Sequence, residues 1–314
     1  MAINFGGMFD NVDRVVDPDF TLVYEEGLDG LLRSLTVSQF KQQTNNMARS
    51  LLTMGCEPGD KVAIYMRNRL EYLVATVALA KARLVHVNVN YRYKAGELAY
   101  LLDNSDSRCV IFESEFADTL SAIRAQLSSA AYFVEVTDDN LEQSWSHSFD
   151  ESVQSGSGEP LDIERSSSDQ FFMYTGGTTG VSKGAVLLHR NVIANVLQSE
   201  AWNEPVMKQV PANEQPTSVC ALPLYHIFAL TANCLVFMKF GGLNYLITNP
   251  RDMPGFVKEL RKSRFTAITG VNTLPDKTTA SQVLMFRQLL HTKCRPGLRL
   301  SRTYEGTPAQ MAVL

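Results

Sequence analysis

The stretch Lys61-Val-Ala-Ile-Tyr-Met-Arg-Asn-Arg-Leu-Glu-Tyr-Leu-Val-Ala-Thr-Val-Ala-Leu-Ala-Lys-Ala-Arg-Leu-Val-His-Val-Asn-Val-Asn90 decides the fold class. Lys61–Met66 is a short apolar run that suits a strand. Asn68 is placed to cap a helix over Arg69 to Ala82, and His86–Asn90 alternates as a strand does. A strand, a helix and a second strand in this space make a unit whose two strands run parallel. Upstream, Thr36 and Gln39 have capping-box spacing. The helix they open would bury Val37, Phe40, Met47 and Leu51 and stop at Gly55. Downstream the rhythm continues through a helix at Ala95–Asp103, a strand at Cys109–Phe112, a helix at Phe116–Leu127 and a strand at Tyr132–Val136.

Residues 138–168 break the rhythm. They are rich in Ser, Asp, Glu and Gly and read as an exposed connection between two subdomains. Strands are then expected at Phe171–Tyr174, Val219–Leu222, Asn244–Thr248 and Phe265–Thr269, with helices at Arg190–Ala201, Leu230–Phe240 and Pro254–Lys262. The expected class is α/β, with mostly parallel sheet covered on both faces. Two βα-layered subdomains are expected, residues 1–170 with the connection and residues 171–274.

The chain of 314 residues is 45% hydrophobic, enough for one large core or two moderate ones. Its net charge of -4 supplies no overall basic field for nucleic acid. The opening twenty residues lack a basic region followed by an apolar one, so no secretory signal is expected. The longest apolar run, Ile227–Phe240, is interrupted by Asn233 and Lys239 and falls short of the ~20 residues of a membrane span, so it reads as a buried helix. Cys56, Cys109, Cys220, Cys234 and Cys294 show no C-x-x-C spacing. They read as reduced core residues of a cytoplasmic protein, with no metal or disulfide role expected.

The chemistry concentrates in Tyr174-Thr175-Gly176-Gly177-Thr178-Thr179-Gly180-Val181-Ser182-Lys183-Gly184-Ala185, directly after a strand. Glycines let backbone N–H groups turn toward an anion. Hydroxyls add neutral donors, and Lys183 adds a positive charge. A surface turn with an exposed lysine is the alternative, and the density of donors favours a phosphate loop. It is not the common nucleotide P-loop: Ser182 stands where that pattern has glycine, and Gly184 where it has Ser or Thr. Among the histidines only His226 has a chemical context, between Pro223-Leu-Tyr225 and Phe228. His86, His147, His189 and His291 are read as structural or exposed.

The string 174–191, YTGGTTGVSKGAVLLHRN, resembles the signature loop of the adenylate-forming superfamily, which includes acyl-CoA synthetases, luciferases and peptide-synthetase adenylation domains. Ala221-Leu-Pro-Leu-Tyr-His-Ile-Phe-Ala-Leu230 is similar to a second signature. Leu35–Met66, Val85–Phe112, Asn249–Leu260 and Phe265–Leu274 add to the resemblance, and the last two look most like bacterial long-chain fatty acyl-CoA ligases. What this implies is adenylation of a fatty carboxylate by ATP, then displacement of AMP by coenzyme A. Residues 174–185 would hold ATP, with Thr175 a hydroxyl ligand of Mg²⁺ and Lys183 on the phosphates. His226 would stand by the reacting carboxylate and α-phosphate; the alternative is a core histidine at a strand end. Tyr225, Phe228, Leu230, Gly241, Gly242, Gly270 and Val271 are acyl-site candidates by position, though any buried α/β core uses such residues. A homodimer and peripheral contact with the inner membrane face are further expectations from the resemblance.

The resemblance stops at Thr273-Leu274. Residues 275–314 carry Lys277, Arg287, Lys293, Arg295, Arg299 and Arg302 against Asp276 and Glu305, and no confident strand. The family's adenine-binding and Tyr-Gly-x-Thr-Glu segments are not found. The expectation is a truncated large domain whose tail, 275–314, is foreign to the family through a shifted reading frame or comparable coding disruption, and which forms no acyl-CoA alone; the alternative is a real but divergent carboxy-terminal cap. Two other readings stay open: a non-catalytic module that binds nucleotide or fatty acid, and another adenylating enzyme such as an aryl-CoA ligase or amino-acid adenylation domain.

Overall fold

The computed structural model describes residues 4–14, 16–138, 143–175, 182–211, 214–262, 264–269, 301–302 and 312–313. Two compact units share them, Met1–Asp19 with Val37–Asn195, and Phe20–Thr36 with Val196–Leu314. The first two strands, β1 (Thr21–Glu26) and β2 (Leu32–Thr36), belong to the second unit.

In the first unit, β3 (Lys61–Tyr65), β4 (Val85–Asn88), β5 (Ser107–Glu113), β6 (Tyr132–Val136), β7 (His147–Ser148), β8 (Gln170–Thr175) and β9 (Lys183–Leu188) form one sheet in the order β7-β6-β5-β3-β4-β8-β9. All neighbours are parallel except β9, which returns antiparallel along β8. The helices are α1 (Phe5–Asp10), α2 (Val37–Met54), α3 (Leu70–Lys81), α4 (Ala95–Asn104), α5 (Ala117–Ser121), α6 (Phe149–Gln154) and α7 (His189–Met207), the last shared with the second unit.

The expected β–α–β unit is present as β3, α3 and β4. Every residue of α3 is buried, which is why its sequence is apolar on all sides. Asn68 does not cap it; Arg69 takes the N-cap position without a side-chain cap bond. Arg69 instead bonds Glu71, Glu113 and Asp138. Helix α2 buries Val37, Phe40, Met47 and Leu51 as its spacing predicts, each contributing about 1.5–3 kcal/mol. Gly55 ends it at φ +111°, a left-handed conformation that glycine adopts freely.

Helix α1 lies so close to α3 that a Cβ on Gly6 would stand 2.7 Å from the Ala80 carbonyl carbon. The Lys81 ammonium, fully buried, donates to Thr44 Oγ1 (2.8 Å) and Asn45 Oδ1 (2.6 Å) and faces Asp10 at 3.2 Å. Asp10 also holds Arg165 at 2.5 Å, and Arg165 Nε donates to the Lys81 carbonyl.

Three sequence expectations change. The helix expected over Phe116–Leu127 is α5 flanked by 3-10 turns at Ser114–Phe116 and Arg124–Gln126. Phe116, Leu120 and Ile123 still reach the core, so the apolar face survives the break. The connection 138–168 contains β7 and α6, with Ser148 Oγ accepting from the Glu151 N–H at 3.2 Å. The division placed at residue 170 falls instead after Asn195, because β8 pairs with β4.

The second unit has the strand order β12-β10-β11-β1-β2, with β10 (Thr217–Cys220), β11 (Leu243–Leu246) and β12 (Ala267–Thr269). It is parallel except for the edge strand β2. Strand β1 pairs with β11 through Val23–Asn244, Tyr24–Tyr245 and Glu25–Leu246. A π-helical segment, Ala229–Leu235, runs into α8 (Val236–Lys239), where the sequence predicts one regular helix. This segment is buried as expected. No helix among the described residues is long and apolar enough to cross a membrane. Helix α9 (Met253–Lys262) packs Phe256 and Leu260 on Val219, Tyr245 and Ile268.

Candidate active site

Strand β8 ends at Thr175 and β9 starts at Lys183, and these two residues pair across the ladder. The connecting residues Gly176, Gly177, Thr178, Thr179, Gly180 and Val181 lie outside the described residues. Thr175 stands at the carboxyl end of β8, the end at which open α/β sheets bind ligands. Thr175, Lys183, Gly184 and Ala185 are exposed. Ser182 Oγ donates to the Thr175 carbonyl at 3.1 Å and draws the two ends together. Lys183–Ala185, expected within the loop, are the first residues of a strand, so the lysine is set by sheet register opposite Thr175.

Tyr174 anchors the loop. Its N–H donates to Asn88 Oδ1 at 2.5 Å, and Asn88 Nδ2 donates back to its carbonyl at 3.1 Å. Its hydroxyl donates to Asn104 Oδ1 at 2.9 Å, and burial holds the phenol above its ordinary pKa. Gly184 faces that ring, and a Cβ there would come within 2.8 Å of Tyr174 Cζ. Glycine at 184 therefore seats the tyrosine. Sequence reasoning missed Asn88 and Asn104. For Asn88 the available signal was a polar residue inside an alternating strand, which needs bonding partners once buried; Asn104 ends helix α4 and carries no such signal.

In the second unit, His226 follows β10 in a turn. Its N–H donates to the Pro223 carbonyl at 3.0 Å, and its own carbonyl accepts from Leu230 at 3.2 Å, opening the helix. The imidazole is exposed and lies 4.5 Å from the buried Tyr225 ring, centroid to centroid. The core-histidine alternative therefore fails for His226. Among the described residues the core histidines are His86, stacked on Phe171 at 4.5 Å, and His189, stacked on Phe5 at 4.4 Å. Burial pulls the His86 pKa down to about 3 and the His189 pKa down to about 4.

Phe228 is half-buried, and Leu230 is fully buried in the π-helical segment. Gly241 has φ +69°, and the Gly242 N–H donates to the Phe237 carbonyl at 2.7 Å. These are glycines of a helix stop. A Cβ on Gly242 would sit 2.9 Å from the Pro216 carbonyl oxygen, so packing alone accounts for glycine there. Gly270 and Val271 lie outside the described residues. Among the described residues no three or more His, Cys, Asp or Glu gather as a metal site.

A family profile described as AMP-binding enzyme matches residues 15–310. The chain belongs to this family. The match includes residues 275–310, expected from the sequence to be foreign to it. The chain is 41% identical, over 245 residues, to a long-chain-fatty-acid–CoA ligase of Salmonella typhimurium strain LT2, covering 70% of this chain and 43% of that protein. It spans under half the length of that relative. Two solved structures share the fold. The N-terminal domain of FACL13 from Mycobacterium tuberculosis superposes with a TM-score of 0.72 at 24% identity, covering 90% of this chain and 66% of that one. The anthranilate CoA ligase AuaEII in complex with anthranoyl-AMP gives 0.73 at 19% identity, covering 84% and 49%.

Proposed function

We propose that this AMP-binding chain belongs to a long-chain fatty acid–CoA ligase that converts ATP, a fatty acid and coenzyme A into acyl-CoA, AMP and diphosphate through an acyl-adenylate. The observation that carries the reading is Lys183, held by strand register beside Thr175 at the mouth of a glycine- and hydroxyl-rich loop. The 41% identity to a long-chain ligase supports the substrate class.

In the first step a carboxylate approaches a polyanionic triphosphate, so positioning and charge neutralisation dominate the barrier. Residues 174–185 hold the phosphates: Lys183 supplies charge, and backbone N–H groups and hydroxyls supply donors. The chemistry at Thr175 fits Mg²⁺, because an exposed hydroxyl is an oxygen donor of the kind that ion takes, with phosphate and water oxygens completing its shell. Bound there, the ion would offset phosphate charge. His226 presents an exposed imidazole that donates a hydrogen bond to charge developing at the carboxylate and α-phosphate. Tyr225 and Phe228 flank it on the acyl side. Coenzyme A takes the acyl group in the second step, and the protein works in the cytoplasm at the inner membrane face.

Lys183→Ala is expected to weaken ATP binding on the order of tenfold, the worth of one charge-assisted hydrogen bond, with the thermal midpoint unchanged. Calorimetry with ATP decides it, and equal affinity in both proteins removes this lysine from the nucleotide site. In a full-length version, His226→Ala is expected to lower kcat for fatty-acid-dependent pyrophosphate exchange roughly tenfold, with KM for ATP nearly constant. That pattern marks an interaction made in the transition state. An unchanged kcat excludes the role given to His226.

A further inference from the structure

The ladder between β4 and β8 ends at Val87 and Phe172. Beyond that point β8 keeps its register with β9 to its last residue, Tyr174 opposite Gly184 and Thr175 opposite Lys183. Strand β4 keeps its register with β3, Asn88 opposite Ile64, and the Val89 N–H donates to the Ile64 carbonyl at 3.2 Å. The carboxyl ends of β4 and β8 therefore part just before the glycine-rich loop. The buried Asn88 side chain bridges them. Its Oδ1 accepts from the Tyr174 N–H at 2.5 Å, and its Nδ2 donates to the Tyr174 carbonyl at 3.1 Å. These are the acceptor and the donor that a neighbouring strand backbone would supply. The carboxamide stands in for that backbone at the distance of a side chain.

We propose that Asn88 is a positioning residue for nucleotide binding: it holds the carboxyl end of β8 a side chain away from β4, so that Thr175 and Lys183 meet the phosphates. Its role rests on the assignment of residues 174–185 to the phosphates of ATP. Asparagine suits the place because one short side chain carries both an N–H donor and a carbonyl acceptor. Leucine has a similar size and offers neither, and the single serine hydroxyl is too short to serve both groups of Tyr174. Buried peptide groups do not stay unpaired. Without the carboxamide, Tyr174 closes onto the β4 backbone or opens to water. The Tyr174 ring is pinned by Asn104 at its hydroxyl and seated against Gly184, so the backbone on the loop side takes up the displacement. Strand register passes it to Gly184 and Lys183.

The test is calorimetric titration with MgATP of the 314-residue chain, of Lys183→Ala, Asn88→Ser and Asn88→Leu, and of the double variant Asn88→Leu/Lys183→Ala, with circular dichroism reporting the fold of each. Asn88→Leu is expected to bind MgATP on the order of tenfold more weakly, as Lys183→Ala does, because a misplaced lysine loses what a deleted one loses. Asn88→Ser, the milder change, is expected to lose several-fold. The double variant is expected to bind no more weakly than Lys183→Ala alone, the non-additivity of one residue acting through another. A residue that only stabilises the sheet would lower the unfolding temperature and leave the affinity alone. Parent affinity in the folded Asn88 variants overturns the proposal and leaves the phosphate loop standing. So do additive losses in the double variant, or an Asn88→Ser chain that does not fold. A parent chain that binds no MgATP, or that binds it equally without Lys183, removes the phosphate-loop assignment and the role of Asn88 with it.

Discussion

Replacing Asp10 with alanine is expected to destabilise the first unit by about 3–5 kcal/mol, the usual cost of removing one partner from a buried ion pair. Asp10 sits between the fully buried Lys81 at 3.2 Å and the partly buried Arg165 at 2.5 Å. Thr44 and Asn45 satisfy the Lys81 donors but supply no charge. Burial already draws the Lys81 pKa down to about 8 with Asp10 present. Without that carboxylate, Lys81 must lose its proton or the helix carrying it must open to water. Asp10→Asn keeps the shape and is expected to lose most of the same stability, which separates charge from packing. Lys81→Met combined with Asp10→Asn removes one of the two cations and recovers part of the loss. The measurement is urea unfolding by Trp145 fluorescence in a Trp202→Phe background. Trp145 stacks on Phe112 at 5.4 Å inside the first unit, whereas Trp202 is 65% exposed. A shift below about 1 kcal/mol for Asp10→Ala, the scale of an exposed pair, would show that this ion pair does not hold α1 in place.

What the sequence reveals depends on how local the cause is. The unit β3–α3–β4 is legible because its strands and helix pack on one another within thirty residues. Other strands are less so. Strand β1 pairs with β11 more than two hundred residues later, and no local pattern announces a partner at that distance. Its segment, Thr-Leu-Val-Tyr-Glu-Glu, even buries a charged residue, Glu25. Strand β9 opens on Lys183-Gly184, which reads as loop chemistry until the hairpin with β8 is known. The break at 138–168 held a usable signal: Ser148 and Glu151 have capping-box spacing, and Ser148 does cap α6.

The candidate site divides the same way. Its phosphate-binding character is legible because four glycines, four Ser and Thr hydroxyls and a lysine converge within a dozen positions. Its support is not, because Tyr174 is fixed by Asn88 and Asn104, each 70 or more residues away in sequence. Gly184 shows why composition alone misassigns a role. Next to a phosphate loop a glycine reads as room for an anion, but the contact that excludes a side chain there is the Tyr174 ring.

Acidification is expected to unfold the first unit well above the pH at which carboxylates protonate. His86 and His189 lie in one aromatic stack with Phe171 and Phe5. Burial lowers their pKa values to about 3 and about 4, with Asp169 partly offsetting the shift at His189. Unfolded, each takes up a proton near pH 6.5. Above that pH both histidines are neutral in both states and add no slope to stability. Below it the unfolded chain binds protons that the folded chain refuses, so stability falls as pH falls. Each histidine contributes about 1.4 kcal/mol per pH unit, down to about pH 4 for His189 and about pH 3 for His86. From pH 6.5 to pH 5 the two together remove about 3 kcal/mol, a large share of a typical domain's stability. Glu26 and Asp29 have lowered values and act only nearer pH 4, and both lie in the second unit. Glu113, raised by burial, works in the opposite sense. The decisive comparison is therefore between variants. His86→Val and His189→Asn should each halve the slope of unfolding free energy against pH, followed by Trp145 fluorescence between pH 7.5 and 5. Parallel slopes in parent and variants would mean that the buried imidazoles titrate alike in both states, and the acid lability would then lie elsewhere.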